Sequence, residues 1–216
     1  MRDFNDTLST FGKYNIWFMV LVMNLTGWVL PLFFPKLNIK IYQNIFPPYV
    51  HQIDVLKENL FIDTAHRVLG GLLFTLGAIQ FESKIRVYAP KIHRISGYLY
   101  ICLGYCISFT AAYMAIFTPY SGFPESALVV AISIIYAFCI TLALKNVLNK
   151  KYSLHREWMI RGYAIASFIY VMRIFSNIFY HMGVAATGPE IFLTSSILAF
   201  GLNYIIAEWW LSRTRT

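Results

Sequence analysis

Charged residues are scarce in this chain. Only 13% of its 216 residues are Asp, Glu, Lys or Arg, whereas 58% are hydrophobic, and a soluble domain usually carries about twice that charged fraction. Several apolar runs reach the ~20 residues that an α-helix needs to cross a bilayer. These runs lack the alternation of apolar and polar residues that a lipid-facing sheet requires. The sequence therefore predicts an all-α, polytopic membrane protein.

Other absences exclude further classes. No domain-sized polar segment is present, so we predict a single transmembrane domain over residues 1–216. No Gly-rich phosphate loop or basic-aromatic motif accompanies the net charge of +8, so nucleic acid is not an expected partner. The cysteines, Cys102, Cys106 and Cys139, fall inside apolar runs and do not form a disulfide framework. We expect them to act as small apolar residues.

The apolar runs predict six membrane spans. Their approximate bounds are 14–34, 62–81, 95–117, 126–147, 157–181 and 190–210. We expect the second to fifth spans to form a four-helix core. Prolines rather than small residues follow the first span, so we interpret it as an uncleaved helix and not as a signal peptide.

The distribution of basic residues predicts the orientation. The segments after the second and fourth spans and the C-terminal tail are rich in Lys and Arg, whereas the segments after the third and fifth spans contain neither. The positive-inside rule then places both termini in the cytoplasm, and we assign the protein to a bacterial inner membrane. Residues 35–61 form an external loop, in which Val50, Ile53 and Leu56 suggest an interfacial helix. Membrane lipids are expected partners, and the sequence leaves open an oligomer or a larger complex.

Histidine-arginine pairs stand at the starts of three apolar stretches. They are His66-Arg67, His93-Arg94 and His155-Arg156, and each places an imidazole near the first turn of a span. Ionisable groups are costly inside a membrane and are functional candidates by default. These pairs suggest a bound cofactor or an anionic ligand.

The predicted topology gives one histidine pair at each membrane face. His66 and His181 lie near the outer ends of the second and fifth spans, whereas His93 and His155 lie near inner ends. Haem b ligation between bundle helices needs two imidazoles at matched depth on facing helices. The sequence thus predicts haem iron ligands in His66 with His181 and in His93 with His155. His51 is an alternative outer partner.

Arginines near these histidines are candidates for contact with haem propionates or a quinone-like substrate. The candidates are Arg67, Arg94, Arg156, Arg161 and Arg173. A spacing of four residues predicts ion pairs of Asp63 with Arg67 and of Glu157 with Arg161. Arg173 has no acidic residue near it in sequence. Its partner should therefore come from a bound ligand or from another helix.

Lipid contact offers a second interpretation of the same residues. His and Arg at helix ends often meet lipid phosphates, and this applies to His93-Arg94 and His155-Arg156. His181, near a helix end, is equally explained as a solvated imidazole. Interfacial belts also account for most of the aromatic residues, which make up 18% of the chain.

Two blocks of the sequence are similar to a known family. The first combines His66, Gly70, Gln80-Phe81, Arg86, Pro90, His93-Arg94, Gly97 and Tyr98, and the second reads His155-Arg156-x-Trp158-Met159-x-Arg161-x-Tyr163-Ala164, followed by Arg173. This pattern resembles the bacterial membrane family called domain of unknown function 2306, over roughly the second to fifth spans. The resemblance implies an integral membrane protein and no particular reaction. The layout also resembles the two-haem transmembrane cytochromes b in architecture, although the fourth span contains no histidine.

These observations lead us to expect an integral membrane haem-b electron-transfer protein with a quinone or another small redox partner. Whether it is an enzyme, namely a membrane oxidoreductase, stays open. One alternative is a non-catalytic membrane subunit or assembly factor, in which the His-Arg blocks only fix helix ends. Another is a binder or transporter of an anionic or lipid-like ligand, although no inverted repeat or broken helix pair is evident in the sequence.

Overall fold

The computed structural model describes residues 60–214, together with a few single positions between 17 and 33. Residues 60–214 form seven helices and contain no strand. The helices are α1 Leu60–Phe81, α2 Ser83–Tyr88, α3 Pro90–Phe117, α4 Phe123–Leu148, α5 Tyr152–Ala166, α6 Phe168–His181 and α7 Gly188–Thr214. The predicted first span and nearly all of the predicted 35–61 loop lie outside the described residues.

The remaining predicted spans correspond to helices of the structure, with two differences. The helices begin up to five residues before the predicted spans, because hydropathy marks only the apolar part of a helix. Pro90, for example, opens α3 at a position where a missing backbone N–H is tolerated. The second difference is an interruption of the predicted fifth span at Ser167, between α5 and α6.

Four segments of the described chain are long and apolar enough to cross a membrane. They are Pro90–Phe117, Phe123–Leu148, Tyr152–His181 and Gly188–Thr214. Helix α1 has 22 residues, about 33 Å of helix at 1.5 Å per residue. It packs along α3 and carries Asp63, His66 and Arg67 in its first two turns. This is an all-helical membrane protein, as the sequence predicts.

The predicted four-helix core is present. Buried side chains of α1, α3, α4 and α5 form one apolar cluster, which includes Leu73, Tyr100, Ile140 and Ile165. A smaller cluster around Met172 joins α6 to α7. Sequential helices are neighbours throughout: α3 lies against α1 and α4, α4 against α5, and α7 against both α5 and α6.

The two ends of the bundle differ in charge. At one end the loop after α3 contacts the start of α7, where the Ser121 hydroxyl donates to the Pro189 carbonyl at 2.8 Å. At the other end Arg156 donates to the Thr214 hydroxyl at 3.0 Å. The connections at this second end carry the basic residues Lys84, Arg86, Lys91, Lys150 and Lys151. We call it the basic end. The loops 118–122 and 182–187 at the opposite end contain no Lys or Arg.

A glycine contact sets the distance between α1 and its neighbours. A Cβ atom on Gly77 would lie 2.2 Å from Cε2 of Tyr163 and 3.1 Å from Cε2 of Tyr100. The Tyr163 hydroxyl donates to the Phe74 carbonyl of α1 at 3.4 Å. Gly77 therefore allows the tyrosine rings of α3 and α5 to lie directly against the α1 backbone.

Candidate functional site

The structure brings His93 and His155 to one cavity at the basic end. His93 lies in the first turn of α3 and His155 in the first turn of α5, and the two rings are close enough to interact electrostatically. Both residues line a cavity of about 1600 Å³. Helix α4 packs against both α3 and α5. The two histidines are thus carried by different helices and line the same cavity.

The His155 ring is fixed by a backbone contact. Its Nδ1 atom lies 2.9 Å from the carbonyl oxygen of Ala143. A carbonyl only accepts hydrogen bonds, so Nδ1 must carry the proton and the neutral ring has its lone pair on Nε2. Histidines that bind metals commonly use one nitrogen in this way and coordinate through the other.

His93 is held through its backbone. Its carbonyl oxygen accepts hydrogen bonds from Ser96 Oγ at 3.2 Å and from Gln80 Nε2 at 3.3 Å. Its Nδ1 atom is buried and has no hydrogen-bond partner within the described part of the chain. A buried nitrogen without a hydrogen bond is energetically unfavourable unless a ligand or a water molecule supplies the missing partner.

Arginines surround the mouth of the cavity. Arg86, Arg94 and Arg156 line it together with Tyr152 and one carboxylate, that of Glu82. Arg94 and Arg156 are exposed, and Arg156 also bonds to Thr214 at the C-terminal end of α7. This arrangement gives the cavity a cationic opening above walls that are mainly apolar.

Arg161 has protein partners on two helices. Its Nε and Nη2 atoms donate to the two carboxylate oxygens of Glu208 at 2.6 and 3.1 Å. The predicted contact with Glu157 is present at 3.4 Å, and the guanidinium lies 4.8 Å from the centre of the Trp158 ring. Its charge is compensated within the bundle, which accounts for this residue without an external anion.

A polar group lies at the deep end of the same cavity. Ser167 interrupts the helix between α5 and α6, and its hydroxyl donates to the Ala164 carbonyl at 2.8 Å. Asn203 of α7 donates through Nδ2 to the same carbonyl at 3.0 Å and to Ser167 Oγ at 3.1 Å. Neighbouring polar side chains often compensate helix breaks at membrane depth. All three residues line the cavity. Sequence reasoning missed this group, although Asn203 is a solitary amide in an apolar run.

The predicted outer residues form a separate polar cluster on α1, α3 and α6. Asp63 is buried and makes the predicted ion pair with Arg67. Arg173 of α6 is near enough to act electrostatically on Asp63, a carboxylate of another helix. His66 Nδ1 lies 2.8 Å from the Thr110 hydroxyl of α3.

The remaining histidines are placed differently. His181 is exposed at the end of α6, and its ring lies edge-on to that of Tyr180 at 5.4 Å. Within residues 60–214, no hydrogen bond or ring contact joins His66 to His181. The alternative partner, His51, lies outside the described residues. The prediction of an outer histidine pair stays a prediction.

The structure also bears on the cysteines and on metal binding. Cys102, Cys106 and Cys139 are free thiols. The described residues contain no group of three or more His, Cys, Asp or Glu side chains arranged to hold a metal ion. A bis-histidine haem site needs only two protein ligands. Within the described residues, His93 and His155 line the same cavity.

Comparison with known proteins supports the membrane assignment. A model of the family described as predicted membrane proteins, DUF2306, matches residues 64–211. No curated protein and no solved structure matches the chain. The matched region covers α1 to α7 almost completely, including both His-Arg blocks at the basic end. The chain therefore belongs to the DUF2306 family of predicted membrane proteins.

Proposed function

We propose that this protein is a membrane electron-transfer protein that binds haem b between His93 and His155 at the basic end of the bundle. One observation carries the proposal: the His155 ring is fixed through Nδ1 to the Ala143 carbonyl, on the same cavity as His93. This leaves Nε2 as the lone-pair nitrogen. Two imidazoles on separate helices of a bundle are the ligand set that a low-spin haem b takes.

The size and charge of the cavity are compatible with such a cofactor. Its volume of about 1600 Å³ exceeds the ~300–1,000 Å³ of most small-molecule sites. Apolar walls suit a porphyrin ring, and Arg86, Arg94 and Arg156 at the mouth suit its two propionates. When bound, haem would supply one-electron chemistry. His93 and His155 would hold the iron, and Arg86, Arg94 and Arg156 would compensate the propionate charge.

The orientation belongs to the same proposal. The basic end carries the Lys and Arg residues of the described connections, and such residues collect on the cytoplasmic side of bacterial inner membranes. The cavity mouth would then face the cytoplasm, where a soluble or membrane-bound redox partner can reach it.

Optical spectra of the purified protein test the proposal. The full chain should be expressed with ample haem supply, purified in detergent, and measured in oxidised and reduced forms. We expect a sharp Soret band and a reduced α-band typical of low-spin bis-histidine iron. His93→Ala and His155→Ala should each lose the low-spin spectrum of this site, whereas His181→Ala, which removes only the predicted outer ligand at the opposite end, should retain it.

Two outcomes contradict the proposal. If wild-type protein shows no Soret band under these conditions, the haem proposal is refuted. A copurified anionic amphiphile, identified by mass spectrometry, would then support the ligand-binding alternative, which the cationic mouth also fits. If His181→Ala loses the spectrum as fully as His155→Ala does, the haem lies elsewhere in the bundle.

A further inference from the structure

The cavity has two chemically different ends. His93 and His155 mark the basic end, whereas Ser167 and Asn203 mark the deep end. Twelve residues separate His155 from Ser167 along the α5 segment, which corresponds to about 18 Å of helix. Ser167 lies near the centre of the 30-residue segment Tyr152–His181. One cavity thus connects the basic end to the middle of the membrane domain.

At the deep end, the side-chain donors of Asn203 and Ser167 make hydrogen bonds, whereas the amide oxygen of Asn203 accepts none in the described part of the chain. Both hydrogen bonds that Asn203 makes in the described part of the chain use its Nδ2 amide, which donates to Ala164 O and Ser167 Oγ. The carbonyl acceptor fixes the amide orientation, because only the NH₂ group can meet it. The Ser167 hydroxyl proton is given to the Ala164 carbonyl. Asn203 Oδ1 is therefore an available acceptor, whereas the side-chain donors of Asn203 and Ser167 are both used.

The surrounding side chains restrict the ligand further. Trp210 lies seven residues after Asn203, on the same face of α7 toward the basic end, and lines the cavity together with Ile206 and Tyr163. Apolar walls with two aromatic side chains favour a flat ring. The free acceptor favours a ring that carries a hydroxyl donor.

We propose that the deep end of the cavity binds a quinol, with one ring hydroxyl donating to Asn203 Oδ1. This inference deepens the proposed function by naming the class of its redox partner, and it places that partner on the membrane side of the haem site. The oxidised quinone offers only acceptors, so it would face Asn203 Oδ1 without a hydrogen bond. The contact at Asn203 therefore favours the reduced form.

A ligand series on the wild-type protein tests this selectivity. Radiolabelled short-chain ubiquinol, the corresponding ubiquinone and the dimethyl ether of the quinol should be compared by equilibrium binding in nanodiscs under anaerobic, reducing or oxidising conditions as required. An acceptor that a bound ligand covers without offering it a hydrogen bond weakens binding about tenfold or more. We expect the quinone and the ether to bind more weakly than the quinol by that factor. Equal dissociation constants for the three ligands would overturn the proposal.

Variants of the deep end locate the contact. Asn203→Asp should retain quinol binding, because a protonated carboxyl group at this depth donates to Ala164 O and still presents an acceptor. Asn203→Leu removes the acceptor and should bind quinol no better than the ether. Asn146→Leu is the matched control, since Asn146 donates to the Leu142 carbonyl within α4 and does not line the cavity. If Asn146→Leu loses as much affinity as Asn203→Leu, the contact is assigned wrongly. The ligand series on wild-type protein decides even if Asn203→Leu does not fold.

The same measurement on His155→Ala separates this inference from the haem proposal. That variant should lose haem and keep its preference for quinol. If wild-type protein contains no haem but still prefers quinol, the haem proposal is refuted and the quinol site stands. If the protein binds haem but binds the three ligands equally well, the quinol site is refuted and the haem proposal stands.

Discussion

Replacing Arg161 distinguishes a structural ion pair from a cofactor contact. Arg161 joins α5 to α7 through both carboxylate oxygens of Glu208, and it also contacts Glu157. Arg161→Met removes the cation and leaves two carboxylates facing each other. Glu208→Met leaves the cation with Glu157 alone. Each single change should destabilise the bundle, whereas the double change Arg161→Met with Glu208→Met should restore part of the loss.

The magnitude follows from burial. The Arg161 side chain is 13% exposed and that of Glu208 is 34% exposed. Breaking a buried ion pair costs about 3–5 kcal/mol, and the partial exposure of Glu208 places Arg161→Met near the lower value, about 3 kcal/mol. One kcal/mol shifts the melting temperature by about 2–4 °C at this chain length. We expect Arg161→Met to lower the melting temperature by about 6–12 °C.

Thermal unfolding in detergent and the cofactor content of the same samples provide the assay. Arg161→Lys serves as a control, because it keeps the charge but loses the two-pronged contact. It should fall between wild type and Arg161→Met in stability. The double change should reveal a favourable coupling energy. Unchanged melting temperatures together with loss of cofactor would refute the reasoning and return Arg161 to the cofactor site.

Three further predictions concern packing, orientation and the outer cluster. Gly77→Ala should destabilise the protein by about 1–3 kcal/mol in thermal scans because of overpacking against Tyr163, whereas Gly70→Ala, with its Cβ 3.8 Å from Ile107, should leave stability unchanged or slightly raised. Ser121→Cys should react with an impermeant maleimide in intact cells and Lys150→Cys only after permeabilisation; the reverse pattern would place the basic end outside. Asp63→Asn should lower stability by about 3 kcal/mol, because Arg67 and Arg173 lose their carboxylate. An unchanged melting temperature would mean that Asp63 is not their counter-ion.

The sequence predicted the helices well because hydrophobic runs are long and local. Ion pairs between residues four apart, such as Asp63 with Arg67 and Glu157 with Arg161, were also predicted correctly. These features depend only on the period of one helix. The predicted topology placed His93 and His155 near the same membrane face, and in the structure both residues line one cavity.

Contacts between helices could not be predicted in this way. Glu208 lies 47 residues from Arg161, and a single sequence carries no information on which face of α7 meets α5. The interruption at Ser167 was equally hidden, because Ser is tolerated inside helices and no Pro or Gly marks the position. The side chain that compensates the interruption, Asn203, belongs to another helix. Its role is therefore visible only in the folded structure.

Arg173 shows how such a contact changes a functional interpretation. In the sequence it is a cation without a nearby carboxylate, which favours a bound anion. In the structure it acts on Asp63, a buried residue of α1 that also pairs with Arg67. A carboxylate of the bundle thus offsets part of the Arg173 charge, so depth in the membrane alone no longer argues for a ligand at Arg173. The argument for a ligand moves to the basic end, where Arg86 and Arg94 line a cavity together with His93 and His155.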